Sequence, residues 1–121
     1  LICEIAAYYK KQGKSLVDVI EGIYAEYGCY LNTTLDFYFE GASGLEKMSG
    51  ILSALRENAP AAIAGEQVVH ISDYLTHEAK DLVSGAVEHI DLPTSNVLAY
   101  TTTSGNCAIV RPSGTEPKIK I

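Results

Sequence analysis

The spacing of the apolar residues changes once along this chain, and that change limits the folds open to it. Up to residue 28 they recur at helical intervals: Ile2, Ile5, Ala6 and Tyr9, then Leu16, Ile20, Ile23, Tyr24 and Tyr27. From Tyr30 to Glu40 the period is two, with Leu31, Thr33, Leu35, Phe37 and Phe39 alternating with polar neighbours. A period near 3.6 buries one stripe of a helix, whereas a period of two buries one face of a strand. The first 28 residues therefore predict two helices joined through Gly13, with Ser15 and Asp18 placed to cap the second and Gly28 to end it. Residues 30–40 predict a half-buried strand. Ser43-Gly44-Leu45-Glu46 predicts a capping box, followed by an amphipathic helix on Leu45, Met48, Leu52 and Leu55 that Pro60 closes.

Further on, residues 67–71 predict a short strand. Residues 73–93 fit either a short helix or an irregular hairpin turning at Ser84-Gly85. Residues 97–103 and 106–111 predict two strands joined at Ser104-Gly105, and alternation resumes at residues 118–121. Helices and strands in this order, without a regular βαβ repeat, predict an α+β fold with a mainly antiparallel sheet. The chain opens inside one pattern and stops inside another, which predicts a piece of a longer protein.

Charge narrows the partners. The 121 residues carry nine Lys/Arg against fifteen Asp/Glu, a formal net charge of −6. That balance disfavours nucleic acid. No apolar stretch approaches the roughly 20 residues that span a bilayer, so no membrane partner is expected. Cys3, Cys29 and Cys107 are odd in number and far apart, which predicts a reducing, cytoplasmic setting with no disulfide framework or zinc knuckle. Cys107 reads as a small core residue. The final thirty residues reverse the sign: Arg111, Lys118 and Lys120 face Glu116 alone.

That cationic segment contains Arg111-Pro112-Ser113-Gly114-Thr115-Glu116-Pro117, set between two strand patterns. Arginine offers a planar fork for two oxygens, and serine and threonine offer rotatable hydroxyl donors. Gly114 lets backbone N–H groups come close to an anion, as in a nest. Pro112 and Pro117 restrict the loop, so less order has to be gained on binding. Lys118 and Lys120 fall on one strand face, and Lys118 is the nearer to the loop. These residues predict a phosphate site.

Other groups have plainer explanations. His70, His77 and His89 have spacings of seven and twelve that suit no metal site. Tyr8, Tyr9, Tyr24, Tyr27 and Tyr30 suit helix packing. Asp81, Glu88 and Asp91 suit a solvated face, and Gly65-Glu66-Gln67 suits a loop entering a strand.

The segment RPSGTEPKIKI resembles the phosphate-binding loop in the fourth, C-terminal domain of the α-D-phosphohexomutases, the superfamily of phosphoglucomutase and phosphomannomutase. Residues 1–30 resemble the stretch leaving the third domain in the long bacterial phosphoglucomutase subfamily, which is related to phosphopentomutases. SDYLT and LPTSNVLAY are also similar to its fourth domain. The resemblance implies a helical tail of the third domain over residues 1–28. It implies a phosphate-binding domain over residues 29–121, folded like one repeat of the TATA-box binding protein with helices on one face, its final helix absent. It further implies that Arg111, Ser113, Gly114, Thr115 and Lys118 contact a sugar phosphate such as glucose 1-phosphate or 6-phosphate. Pro112, Glu116 and Pro117 would then support the loop, with Glu116 orienting Arg111 or Lys118.

In such enzymes a phosphoserine and a bisphosphate intermediate interconvert sugar 1- and 6-phosphates, with the remaining domains of the same enzyme as partners. No TASHNP-like serine, DGDxDR-like magnesium loop or GEESxG-like sugar loop occurs in this chain. The resemblance thus implies no catalysis by this piece alone, no metal held in it, and Mg2+ in the full-length enzyme. Phosphopentomutase, phosphomannomutase, a free-standing anion-binding protein and a purely structural domain are the alternatives.

Overall fold

The computed structural model describes residues 1–121, the side chain of Ala42 excepted. The chain divides into two compact units, Leu1–Thr33 and Thr34–Ile121. The division falls a few residues beyond Gly28, where the helical period ends.

The first unit is a helical pair, α1 (Ile2–Lys10) and α2 (Leu16–Tyr27). Gly13 supplies the left-handed turn between them, with φ +73°. The Ser15 hydroxyl accepts from the Asp18 N–H and the Asp18 carboxylate accepts from the Ser15 N–H, which makes a complete capping box. The charged carboxylate suits these bonds, so its pKa lies below the usual range. Neither helix buries a side chain. Of the five tyrosines expected to pack, Tyr8, Tyr27 and Tyr30 are exposed, and Tyr8 and Tyr9 meet edge to face at 5.1 Å.

The second unit holds β1 (Asp36–Tyr38), α3 (Ala42–Glu57), β2 (Ala62–Ile63), β3 (Glu66–Asp73), β4 (Glu78–Asp81), β5 (Val87–His89), β6 (Leu98–Thr102), β7 (Cys107–Pro112) and β8 (Lys118–Lys120). The sheet order is β1-β8-β7-β6-β3-β4-β5, with β2 paired to β3, and every pairing is antiparallel. The mixed α+β expectation holds.

The core lies between α3 and one face of this sheet. Met48 and Leu52 of α3 pack with Val68, Leu98, Tyr100, Val110 and Ile119. The Tyr100 hydroxyl donates to the Leu55 carbonyl at 3.1 Å, which satisfies the one polar atom this ring brings inward. At the end of α3, Arg56 pairs with Asp73 at 2.9 Å. No helix is long and apolar enough to cross a membrane.

Three local expectations need correction, and one open alternative, at residues 73–93, is decided. The first strand covers three residues, because β8 offers partners only along this stretch, from Leu35 opposite Ile121 to Phe39 opposite Pro117. Residues 30–34 keep the alternation without a strand to pair with, and Leu31 is exposed. Helix α3 starts at Ala42 with Gly41 as its N-cap at φ +78° and no side-chain cap, so Ser43 lies inside the first turn. Residues 73–93 form the hairpin β4–β5, not a helix. The Asp81 carboxylate accepts from the N–H groups of Val83 and Ser84 and organises its turn. Cys107 is exposed, since its neighbours Ala108 and Val110 take the positions facing α3. Strand β2 was not foreseen; Ala64 and Gly65, at φ +49° and +83°, make the tight turn into β3.

Candidate functional site

The segment Arg111–Pro117 closes the hairpin between β7 and β8. Strand register places Pro112 opposite Ile119 and Arg111 opposite Lys120. The hairpin closes through the Ser113 N–H donating to the Lys118 carbonyl and the Lys118 N–H donating to the Glu116 carbonyl, both at 2.8 Å. Ile119 and Val110 face the core, so Arg111, Lys118 and Lys120 project from the opposite face.

Arg111, Gly114 and Thr115 are exposed, and Ser113 is half-buried. Among the described residues the Arg111 guanidinium makes no ion pair and no hydrogen bond. A Cβ placed on Gly114 would meet no atom within 4 Å, so the space beside that backbone is open. Arg111 and Lys120 are directly opposed cations on adjacent strands. Like charges so placed repel, and an anion between them would offset the cost.

Lys118 is arranged differently. Its side chain is 9% exposed, and its ammonium lies 2.7 Å from Glu116 Oε2 and 3.0 Å from Asp36 Oδ2. It also donates to the Tyr38 hydroxyl at 3.2 Å. Its nitrogen sits 5.0 Å from the centre of the Tyr38 ring. These contacts favour the charged form, chiefly the bond to Glu116, and push the Lys118 pKa well above the ordinary lysine value. The bond from Lys118 holds the Asp36 carboxyl below the usual range. The structure thus brings Arg111, Ser113, Gly114 and Thr115 together on one loop and turns Lys118 toward β1. Asp36 and Tyr38 were not singled out from the sequence, since eighty or more residues separate them from Lys118.

The other groups lie elsewhere. Glu66 opens β3 and accepts from Thr102, Ser104 and Asn106 across the β6–β7 turn. His77 bonds through its two ring nitrogens to the Ile90 carbonyl and the Thr94 hydroxyl and stacks on His89 at 5.6 Å. Among the described residues no three His, Cys, Asp or Glu side chains converge in a metal-ligating group.

Over all 121 residues the chain is 40% identical to the phosphoglucomutase of Staphylococcus aureus strain MRSA252 and covers 22% of that protein. It is 38% identical over 111 residues to the phosphoglucomutase of Staphylococcus saprophyticus, matching 92% of this chain and 20% of that one. It is 36% identical over 120 residues to the phosphoglucomutase of Staphylococcus haemolyticus, with 99% and 22% covered. The chain spans about a fifth of the length of these curated relatives. No protein-family model matches it. No solved structure matches it.

Proposed function

We propose that the β7–β8 loop is a phosphate-binding loop and that the chain is the C-terminal portion of a phosphoglucomutase-type enzyme. Residues 1–28 would close its third domain and residues 29–121 would form the fourth, built as an antiparallel sheet with α3 on one face in the manner of a TATA-box binding protein repeat. The observation that carries the reading is the Arg111–Lys120 pair of opposed cations beside an open loop of hydroxyls and backbone N–H groups. Similarity to phosphoglucomutases along the whole chain supports it.

In this reading Arg111 grips two phosphate oxygens, Ser113 and Thr115 donate from their hydroxyls, and the N–H groups about Gly114 complete the cradle. Lys120, directly across from Arg111, is the second cation. The loop holds the phosphate of the sugar that is not being transferred. Its work is positioning, a large part of phosphoryl transfer. The phosphoryl group would pass between substrate and a serine elsewhere in the intact enzyme. Among the described residues no three His, Cys, Asp or Glu side chains converge in a metal-ligating group, and in this reading Mg2+ would be held elsewhere in the intact enzyme.

The test is a titration of the chain with glucose 1-phosphate, read by amide shifts, with glucose as control. Shifts at Ser113 to Glu116 are expected with the phosphate and not with glucose. Arg111→Ala should weaken binding about tenfold or more, the worth of a hydrogen-bonded charge pair. Equal shifts with glucose, or none with the phosphate, would overturn the reading.

A further inference from the structure

An ammonium has three N–H donors and no more. Lys118 directs them at three acceptors within this chain: Glu116 Oε2, Asp36 Oδ2 and the Tyr38 hydroxyl. It is buried at 7% exposure although it lies on the sheet face away from α3, because Tyr38, Asp36 and Glu116 close over it. None of its hydrogen-bonding capacity is left for an anion in the loop. Adding its charge to those of Asp36 and Glu116 leaves the cluster one unit negative, which would repel a phosphate, not attract it.

The connectivity gives the cluster another use. Glu116 belongs to the loop. Asp36 and Tyr38 belong to β1, the edge strand beyond β8. Lys118 lies at the junction, two residues after Glu116 and in register opposite Tyr38. A Glu116 side chain pinned at 2.7 Å fixes the C-terminal limb of a loop whose N-terminal limb is already held by the Ser113 N–H on the Lys118 carbonyl.

We propose that Lys118, held by Asp36 and Tyr38, is a positioning residue: it ties Glu116 to β1 and so sets the shape in which the loop meets a phosphate, without touching the anion. This rests on the phosphate reading of the loop. It assigns a role in phosphate recognition to two residues of β1 that lie far from the loop in sequence.

Charge signs make the proposal testable. Asp36→Asn removes a negative charge near the site, which by Coulomb's law alone tightens binding of an anion. If Lys118 bound phosphate directly, releasing its ammonium from Asp36 would tighten binding as well. Positioning gives the opposite sign: Asp36→Asn loosens the clamp and weakens binding.

The experiment titrates the chain and its variants with glucose 1-phosphate, reading loop amides for binding and the β3–β7 amides for an intact fold. The expected result is a loss of at least about threefold for Asp36→Asn, in the range of coupled neighbours. A smaller loss in the same direction is expected for Tyr38→Phe, which changes no charge. In a Lys118→Met background Asp36→Asn should cause no further loss, because the clamp is already gone. Should Asp36→Asn disturb the β3–β7 amides, Tyr38→Phe and its combination with Lys118→Met decide. Unchanged or tighter binding in Asp36→Asn and Tyr38→Phe, with Arg111→Ala still impaired, overturns the positioning role and leaves the phosphate site standing. A wild-type chain without loop shifts overturns both.

Discussion

Glu66 holds a turn that lies about forty residues further along the chain. Its carboxylate accepts from the hydroxyls of Ser104 and Thr102 and from the Asn106 amide. Those donors, Ser104 first, favour the charged form and hold the Glu66 pKa below the ordinary carboxylate value. A depressed pKa stabilises the fold above the unfolded value and loses that stabilisation as pH falls through the folded one. Urea midpoints should therefore drop on acidification below about pH 4. Glu66→Gln should start lower at pH 7 and depend less on pH over that window. Some slope will remain, because Asp18, Asp36 and Asp81 are depressed as well. A Glu66→Gln slope equal to that of the wild type would count against this account. Residues of this kind divide by sequence distance. The Ser15–Asp18 box was legible because its partners are three residues apart. The Glu66 and Lys118 networks were not, because nothing in a linear pattern marks partners forty or eighty residues away.

At the scale of elements, periodicity identified α1, α2, α3 and the strands around the Ser104-Gly105 turn, because each repeats its apolar residues at the interval of its own backbone geometry. It failed where the pattern had no partner to pair with, as at residues 30–34, and where a different residue made the turn. Ser43 lost its capping role to Gly41, whose positive φ delivers the chain into α3 two residues earlier than the pattern suggests. The same junction makes Gly44 informative. A Cβ there would lie 2.6 Å from the Phe39 carbonyl oxygen and 3.2 Å from Phe39 Cβ. Alanine in an exposed helix normally stabilises by about 1 kcal/mol over glycine. Gly44→Ala should instead destabilise, since backbone must move to admit the methyl. Chemical denaturation of the two proteins checks the sign. A gain in stability would mean that α3 and the end of β1 slide apart easily. Residues 73–93 were undecided in sequence because Leu75, Ala79, Leu82 and Val83 suit a helix, while Ser84-Gly85 and the Asp81 turn suit a hairpin. The pairing of β4 with β3 decides in favour of strands.

For the whole molecule, the change of period near residue 28 anticipated a helical part followed by a sheet-rich part, and the compact units divide at Thr33. Strand order was beyond the sequence. Nothing local tells β1 to sit beside β8, the last strand, in place of β3, and that neighbourhood is what gives the loop its clamp. It also has a mechanical meaning. Leu35 and Ile121 exchange two backbone hydrogen bonds, at 2.7 and 2.9 Å, so the two ends of the sheet unit lie side by side where β1, an edge strand, meets its antiparallel neighbour β8. Tension applied between residues 34 and 121 would load these bonds one after another, like a zipper, not all together in shear. In a single-molecule pulling experiment the first event should be a low-force peeling of β1 from β8, before α3 and the central strands yield. A single high-force rupture of the whole unit would rule this out. Peeling would pass Asp36 as its next residue, so a stretched molecule would slacken its β7–β8 loop while most of its sheet was still folded.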